Sequence, residues 1–195
     1  MGILERLKTE TAELHRETEE YSYGDLIMSG RLTRAQYGDL IDKNTAVHRH
    51  YEAILTQIEG LDALFEGRLS ERMKLAALEN DLATLEHPSR SLPAPVHQPT
   101  DLAEALGAMY VLEGSSLGGA MIARALSKIP EIANTGAFAF YTFYGAELGI
   151  QWKSFGQIVV NFVETHGQAD RLVESAQRTF ESVKSIFSTA LEPVA

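Results

Sequence analysis

The sequence predicts an all-α, single-domain helical bundle that spans residues 1–195. Apolar side chains recur at helical spacing along most of the chain, and no useful stretch alternates apolar and polar residues as a strand would. The composition, 45% hydrophobic and 23% charged, is that of an ordinary globular protein. A chain of this length builds a core without disulfides or a structural metal, so a multi-helix bundle is the expected architecture.

The first helix has a well-defined apolar stripe. At 100° per residue from Leu4, this stripe extends from about −80° to +60°, and most of the charged side chains lie on the opposite side. The pattern predicts that His15 lies on the buried stripe, with Lys8 and Glu19 at its margin. In angular order, the stripe contains Leu14, Leu7, Thr18, Thr11, Leu4, His15, Lys8 and Glu19.

Capping and breaking residues bound the later helices. A capping box at Thr33-Arg-Ala-Gln36 begins the second helix, and Gly60 ends it. The third runs from about Ser70 to His87-Pro88, because proline disfavours helix in the residue before it. Further segments are a proline-rich connector at 88–99, a helical stretch from Asp101 to Pro130 that contains a glycine cluster, an aromatic loop at 131–146, and helices at about 147–166 and 169–191.

Composition and charge exclude several function classes. With no cysteine, the chain has no disulfide, no thiolate metal site and no cysteine nucleophile. A formal net charge of −10 argues against a nucleic-acid or anionic-membrane surface. Neither a signal-peptide pattern nor an apolar run of membrane-spanning length is present, so we expect a cytoplasmic protein without membrane contact.

The six histidines show no spacing typical of a metal chelate. No glutamate lies three residues before any of them, as a di-iron bundle requires, and no His-Glu-x-x-His motif occurs. His15 differs from the others because it lies on the apolar stripe. It is either a core histidine bonded to a neighbour or an axial ligand to heme iron, oriented by Glu19. Lys8, two turns away, is either a solvated lysine or a contact for an anionic group.

The second informative segment is Tyr110-Val-Leu-Glu-Gly-Ser-Ser-Leu-Gly-Gly119. Each glycine in a helical run costs ~1 kcal/mol relative to alanine, so something must compensate for three of them. A phosphate-binding loop is rejected, because no Lys-Ser/Thr follows and no strand precedes. Gly114 and Gly118, four residues apart, form a flat helical face that accommodates either another helix or a planar ligand on a helix kinked at the glycines.

The order and spacing of these features resemble heme oxygenase, and especially the compact bacterial members found beside bacteriophytochromes. The resemblance spans almost the whole chain, and no single motif carries it. Its features are Lys8-x-x-Thr11-x-x-x-His15-x-x-x-Glu19, Ala76-Ala-Leu-Glu-Asn-Asp-Leu82, Gly114-Ser-Ser-Leu-Gly-Gly119, Phe138-Ala-Phe-Tyr-Thr-Phe143, Phe180 and Phe187.

The resemblance implies an enzyme that binds heme as substrate and cofactor and cleaves it, with O2 and external electrons, to biliverdin, carbon monoxide and ferrous iron. It implies a ferredoxin- or flavodoxin-type electron donor, a bacteriophytochrome as a biliverdin acceptor, and a monomer. By position, it assigns iron ligation to His15, catalytic roles to Gly114, Ser115 and Gly118, and heme contacts to Lys8, Thr11, Glu19, Gly119, Lys153, Phe180 and Phe187.

Two departures from the family pattern leave other functions open. Mammalian-type members have an Asp after the first distal glycine and an Arg nearby, whereas this chain has Ser115 and Val111. Gln151 and Gln157 stand where propionate-binding basic residues are expected, which leaves Lys153 as the candidate. The alternatives are a non-catalytic heme carrier or sensor, a thiaminase-type hydrolase, which the absence of cysteine disfavours, and a ligand-free interaction module.

Overall fold

The computed structural model describes residues 1–190, which form an all-α bundle with no strand in that range. The predicted fold class is therefore confirmed. None of the helices described is long and apolar enough to cross a membrane. The helices are α1 (Ile3–Glu10), α2 (Ala12–Glu19), α3 (Gly24–Met28), α4 (Arg34–Leu55), α5 (Leu61–Leu64), α6 (Leu75–Leu85), α7 (Leu102–Gly114), α8 (Gly119–Leu126), α9 (Pro130–Ala133), α10 (Leu148–His166) and α11 (Ala169–Phe187).

Two predicted helix starts are confirmed by their capping bonds. The Thr33 hydroxyl accepts the backbone N–H of Gln36 at 3.2 Å, and the Gln36 side chain accepts the N–H of Thr33 at 3.0 Å. Asp101 likewise accepts the N–H of Glu104 at 2.9 Å. Each bond satisfies a donor that the first helical turn would otherwise leave unpaired.

The connector at 88–99 and the starts of the last two helices are also close to prediction. Leu191, predicted at the end of the last helix, lies outside the described residues.

Other boundaries differ from prediction for tertiary reasons. The first helix is divided at Thr11, and α4 ends at Leu55 instead of reaching Gly60. The third helix begins at Leu75, about a turn later than expected. The Glu52 carboxylate, brought in by α4, accepts the N–H groups of Lys74 at 2.6 Å and of Leu75 at 3.1 Å, and so caps this later start. Because the capping carboxylate lies 22 residues away in sequence, the residues around Leu75 do not indicate this helix start.

The centre of the bundle is the contact between α7 and α11. Gly107 makes this contact close: a Cβ at that position would lie 2.3 Å from the carbonyl oxygen of Leu172 and 2.7 Å from Ser175 Cβ. The two backbones therefore touch, which only glycine permits. Around this contact lie fully buried apolar side chains of both helices, namely Ala103, Ala105, Leu106, Ala108, Met109, Leu172 and Ala176.

A buried ionic cluster attaches α4 to the end of α11. The Lys43 ammonium pairs with Asp39 at 2.9 Å and donates to the carbonyl of Phe187 at 3.0 Å. Arg90, from the connector, pairs with Asp39 and lies 3.4 Å from Asp42. The cluster gives the last turn of α11 a cationic cap, which helix dipoles favour at a C-terminus.

We expect Gly107→Ala to destabilise the protein by about 1–3 kcal/mol, since the new methyl group would force α7 and α11 apart. Gly149→Ala is the matched control, because a Cβ at Gly149 meets nothing within 4 Å and its backbone is helical. That control should be neutral or stabilising, by up to ~1 kcal/mol. Urea unfolding followed by circular dichroism measures both, and equal effects would contradict the close contact.

Acid should destabilise the fold through three histidines, His48, His87 and His97. Burial lowers the pKa of each below the ordinary value of 6.5. As pH falls below ~6.5, the unfolded chain therefore binds protons that the folded chain does not, and stability decreases by up to ~1.4 kcal/mol per pH unit for each histidine. When the free energy of unfolding is measured between pH 7 and 5, it should decrease less steeply with falling pH in His97→Gln than in the wild-type protein. The same change at His166, which removes an exposed imidazole, is the control.

Candidate active site

The apolar stripe of α1 and α2 is buried along only half of its width. Leu7, Thr11 and Thr18 are buried against the bundle, and α2 packs on α11. The other half of the stripe is open to solvent and contains Leu4, Lys8, His15 and Glu19. The expectation that His15 is buried is therefore wrong, since its side chain is 57% exposed. The helix presents a surface that the chain itself does not fill.

His15 is nevertheless held in a defined orientation. Its ring packs on Phe180 of α11 in a T-shaped arrangement, with ring centroids 5.7 Å apart and planes at 79°. Its Nδ1 lies 3.5 Å from Glu19 Oε2, one turn along the helix. The ring therefore has neighbours on two sides, Phe180 and Glu19.

The glycine cluster forms a tight turn between α7 and α8. The N–H groups of Ser116, Leu117 and Gly119 donate to carbonyls three residues back, at 3.0–3.1 Å, instead of four residues back. Ser115 Oγ donates to the Leu112 carbonyl at 2.7 Å. Ser116 Oγ is buried and has no partner among the described residues.

The three glycines of this turn differ in what surrounds them. A Cβ on Gly119 would lie 2.8 Å from the Tyr141 carbonyl oxygen, so packing against the aromatic segment 138–144 requires glycine there. A Cβ on Gly114 would come no closer than 3.9 Å to Trp152, and one on Gly118 no closer than 3.7 Å to Ile122. Neither has a positive φ. Neither a positive φ nor a steric conflict explains Gly114 and Gly118, and both are only half-buried.

Tyr110 and Trp152 link the two open surfaces. Tyr110 lies one turn before Gly114 and beside Thr11, which is one turn before His15. Burial raises the pKa of Tyr110, and its contact with Thr11 opposes that change. The Tyr110 and Trp152 rings lie 5.8 Å apart, next to Gly114. The sequence interpretation did not single out Trp152. It is the one tryptophan of the chain and it precedes Lys153, a predicted heme contact, and these two facts could have drawn attention to it.

A buried ionic network, also missed, fixes the residue before Gly114. Glu113 accepts from Lys74 Nζ at 2.7 Å, from Arg72 Nη1 at 2.8 Å and from the Tyr144 hydroxyl at 2.8 Å. These donors come from the segment before α6 and from the aromatic segment. Burial lowers the pKa of Lys74 and raises that of Tyr144. The network ties three distant parts of the chain to the start of the turn.

The remaining predicted residues lie around these two surfaces or behind them. Phe180 and Phe187 are both buried on α11, and only Phe180 contacts His15. Lys8 on α1 and Lys153 on α10 are exposed, make no ion pair among the described residues, and lie on helices that pack together. Behind the turn lies a cavity of about 180 Å³ lined by Ser116, Ala120, Leu148 and residues 140–145.

Comparisons with known proteins agree with this architecture. The heme oxygenase family model matches residues 1–189. Similar solved structures include heme oxygenase from Leptospira interrogans (16% identity, TM-score 0.76, covering 96% of this chain and 99% of that one). The NO- and CO-bound heme oxygenase from Neisseria meningitidis is 18% identical, with TM-score 0.72 and coverage of 96% and 90%.

Heme oxygenase-1 from Synechocystis, solved in complex with heme, is 16% identical, with TM-score 0.69 and coverage of 96% and 91%. Among curated proteins, no sequence match was found.

We expect Glu113→Gln to destabilise the protein by roughly 3–5 kcal/mol, because a neutral amide leaves two buried cations without their counter-charge. Glu79→Gln is the control, since its ion pair with Arg49 is about half exposed and should contribute less than ~1 kcal/mol. Thermal unfolding measures stability, and hydrogen exchange of amides 115–119 reports the turn. Unchanged exchange in Glu113→Gln would show that the network does not hold the turn.

Proposed function

Because the chain belongs to the heme oxygenase family, whose members bind and degrade heme, we propose that it cleaves heme with O2 and external electrons to biliverdin, carbon monoxide and ferrous iron. The observation that carries this proposal is the pair Gly114 and Gly118, whose open backbone surface has no explanation within the chain. A flat ligand lying on this surface accounts for both glycines. The exposed His15, on the neighbouring open surface, accounts for how its iron is held.

The surroundings of His15 suit an axial ligand. A neutral imidazole binds iron through one nitrogen while a neighbour orients the other, and Glu19 stands beside Nδ1 at 3.5 Å. Phe180 supports the ring edge and limits its rotation. We assign Nε2 as the donor to iron, and Thr11 and Phe187 as further contacts for the macrocycle.

The open glycine surface suits the opposite side of the macrocycle. Without side chains at Gly114 and Gly118, a planar ligand approaches the backbone itself, and Gly119 lets the turn rest on the aromatic segment behind it. Bound heme supplies both the iron at which O2 is activated and the porphyrin carbon that is oxidised. The protein's part would be to exclude bulk water and to leave space beside the backbone of Gly114 and Gly118.

Lys8 and Lys153 are the basic residues we assign to the propionates. Heme propionates are anionic, and both ammonium groups are exposed and make no ion pair within residues 1–190. Their helices, α1 and α10, pack on each other. Each such surface contact contributes little alone, but the pair sets the orientation of the ring in its plane.

Proton delivery is assigned to the serines of the turn. Ser115 uses its proton in the bond to Leu112, so toward a ligand it acts as an acceptor. Ser116 has an unpartnered buried hydroxyl at the wall of the 180 Å³ cavity, where an ordered water would satisfy it. We assign the proton supply to a water held at that hydroxyl.

A second function is a heme carrier or sensor. It is favoured by Ser115, whose hydroxyl is engaged by Leu112 and offers no carboxylate beside the glycine surface. The two proposals share the binding site and differ in whether bound heme is consumed. For the enzyme, we further propose a ferredoxin- or flavodoxin-type donor, a bacteriophytochrome as biliverdin acceptor, and a single-domain monomer in the cytoplasm.

Hemin titration followed by ascorbate in air tests these proposals. We expect a saturable complex whose absorption decays toward that of biliverdin with release of carbon monoxide. His15→Ala should weaken hemin binding roughly tenfold or more and shift the visible spectrum, because the axial ligand is lost. Added imidazole should restore that spectrum by occupying the vacated position. His166→Ala removes another exposed histidine and should change nothing.

Each outcome decides between the proposals. Binding that His15→Ala does not weaken, or whose spectrum imidazole does not restore, contradicts the assignment of the ligand. A stable complex that ascorbate does not consume identifies a carrier. The absence of any saturable complex contradicts both functions.

A further inference from the structure

Asp81 of α6 is a fully buried carboxylate whose hydrogen-bond partners are both backbone groups. Its Oδ1 accepts the N–H of Ala139 at 2.9 Å, and its Oδ2 accepts the N–H of Phe140 at 2.9 Å. Within residues 1–190 it makes no ion pair, whereas every other buried carboxylate there lies beside a basic side chain. Burial raises the pKa of Asp81, and the two backbone bonds oppose that change. These two bonds therefore offset the cost of burying an unpaired charge.

The two bonds of Asp81 join two sequence motifs to which the proposed chemistry gives no role. One is Ala76-Ala-Leu-Glu-Asn-Asp-Leu82, and the other is Phe138-Ala-Phe-Tyr-Thr-Phe143, which opens the aromatic segment 138–144. A second bond holds the residue before that segment, because the Tyr37 hydroxyl of α4 donates to the Ala137 carbonyl. The aromatic segment is thus anchored at its start by buried polar groups of α4 and α6.

The anchored segment contacts the glycine turn at both ends of the turn. At the start, the Tyr144 hydroxyl donates to Glu113 at 2.8 Å. At the end, the Tyr141 carbonyl oxygen lies so close to Gly119 that a Cβ there would come within 2.8 Å of it. The aromatic segment therefore fixes where the turn lies in the bundle.

We propose that Asp81 is a positioning residue, which acts through the aromatic segment to hold the glycine turn and the Ser116 hydroxyl in place. This inference rests on the proposed function, which assigns the proton supply to a water at Ser116. Ser116 and residues 140–145 line the same cavity, so a shift of the segment changes the surroundings of that hydroxyl. An ionised aspartate has two acceptor oxygens, whereas asparagine has one and cannot serve both N–H groups.

Asp81→Asn tests this inference, because it leaves one buried N–H of the aromatic segment without an acceptor. In the ligand-free protein, hydrogen exchange of amides 115–119 should accelerate ~10-fold. In the hemin-loaded protein, consumption of hemin with ascorbate in air should slow roughly tenfold, while hemin affinity changes less than ~3-fold. Affinity is largely kept because His15 lies on α2 and takes no part in these bonds.

A spectroscopic measurement separates positioning from stability. The infrared C–O stretching frequency of carbon monoxide bound to the reduced heme complex responds to the polar groups around the gas, and it should shift in Asp81→Asn. Asp42→Asn is the matched control, since Asp42 is also buried and accepts a backbone N–H, that of Arg90 at 3.1 Å. Asp42 ties the connector 88–99 to α4, so its change should lower stability and leave both the frequency and the exchange of amides 115–119 unaltered.

Unchanged exchange and an unchanged C–O frequency in Asp81→Asn overturn the proposal. Equal changes in Asp42→Asn also overturn it, because they would arise from lost stability. If Asp81→Asn does not fold, Asp81→Glu takes its place: it keeps the charge and both acceptor oxygens but is longer by one methylene, so it should shift the frequency, and a wild-type frequency contradicts the proposal. If the wild-type protein consumes no hemin, the proposed function fails, and amide exchange in the ligand-free protein still decides whether Asp81 holds the turn.

Discussion

The backbone contact between Gly107 and Leu172 is the constraint on which the site depends. α7 continues from this contact to the glycine turn, and α11 continues from it to Phe180, which supports His15. The separation of the two helices at Gly107 therefore sets the separation of the two open surfaces. A bundle with a larger residue there would need a different distance between α7 and α11, and the separation of the two surfaces would change with it.

The glycines form two groups: those that internal packing requires and those that it does not. At Gly38, Gly107 and Gly119, a side chain would collide with His87, Leu172 and Tyr141, so internal packing accounts for those positions. Gly114 and Gly118 meet no such neighbour and have ordinary helical backbones. Glycine is costly in a helix, and packing among the described residues does not account for these two. The ionic network at Glu113 then keeps the uncovered backbone in place.

Periodicity and local capping predicted the helices well, because the capping box at Thr33 and the cap at Asp101 are built from neighbours in sequence. They did not predict where α6 begins, because that start is capped by Glu52, a residue distant in sequence. For the site, the glycine turn and the histidine helix were recognisable from spacing. The exposure of His15 was not, since a helical wheel gives the direction of a side chain but not whether a neighbour covers it. Trp152 and the network at Glu113 depend on tertiary proximity alone.

The half-covered stripe of α1 and α2 has a consequence for how long the protein survives in a cell. Leu4 and the ring of His15 are exposed until something covers them, so the ligand completes part of the packing. A ligand present at 100 times its dissociation constant stabilises the folded state by about 2.7 kcal/mol, and changes of that size alter steady-state abundance several-fold through proteolysis. The supply of heme should therefore regulate the amount of the enzyme that consumes it, with no change in gene expression.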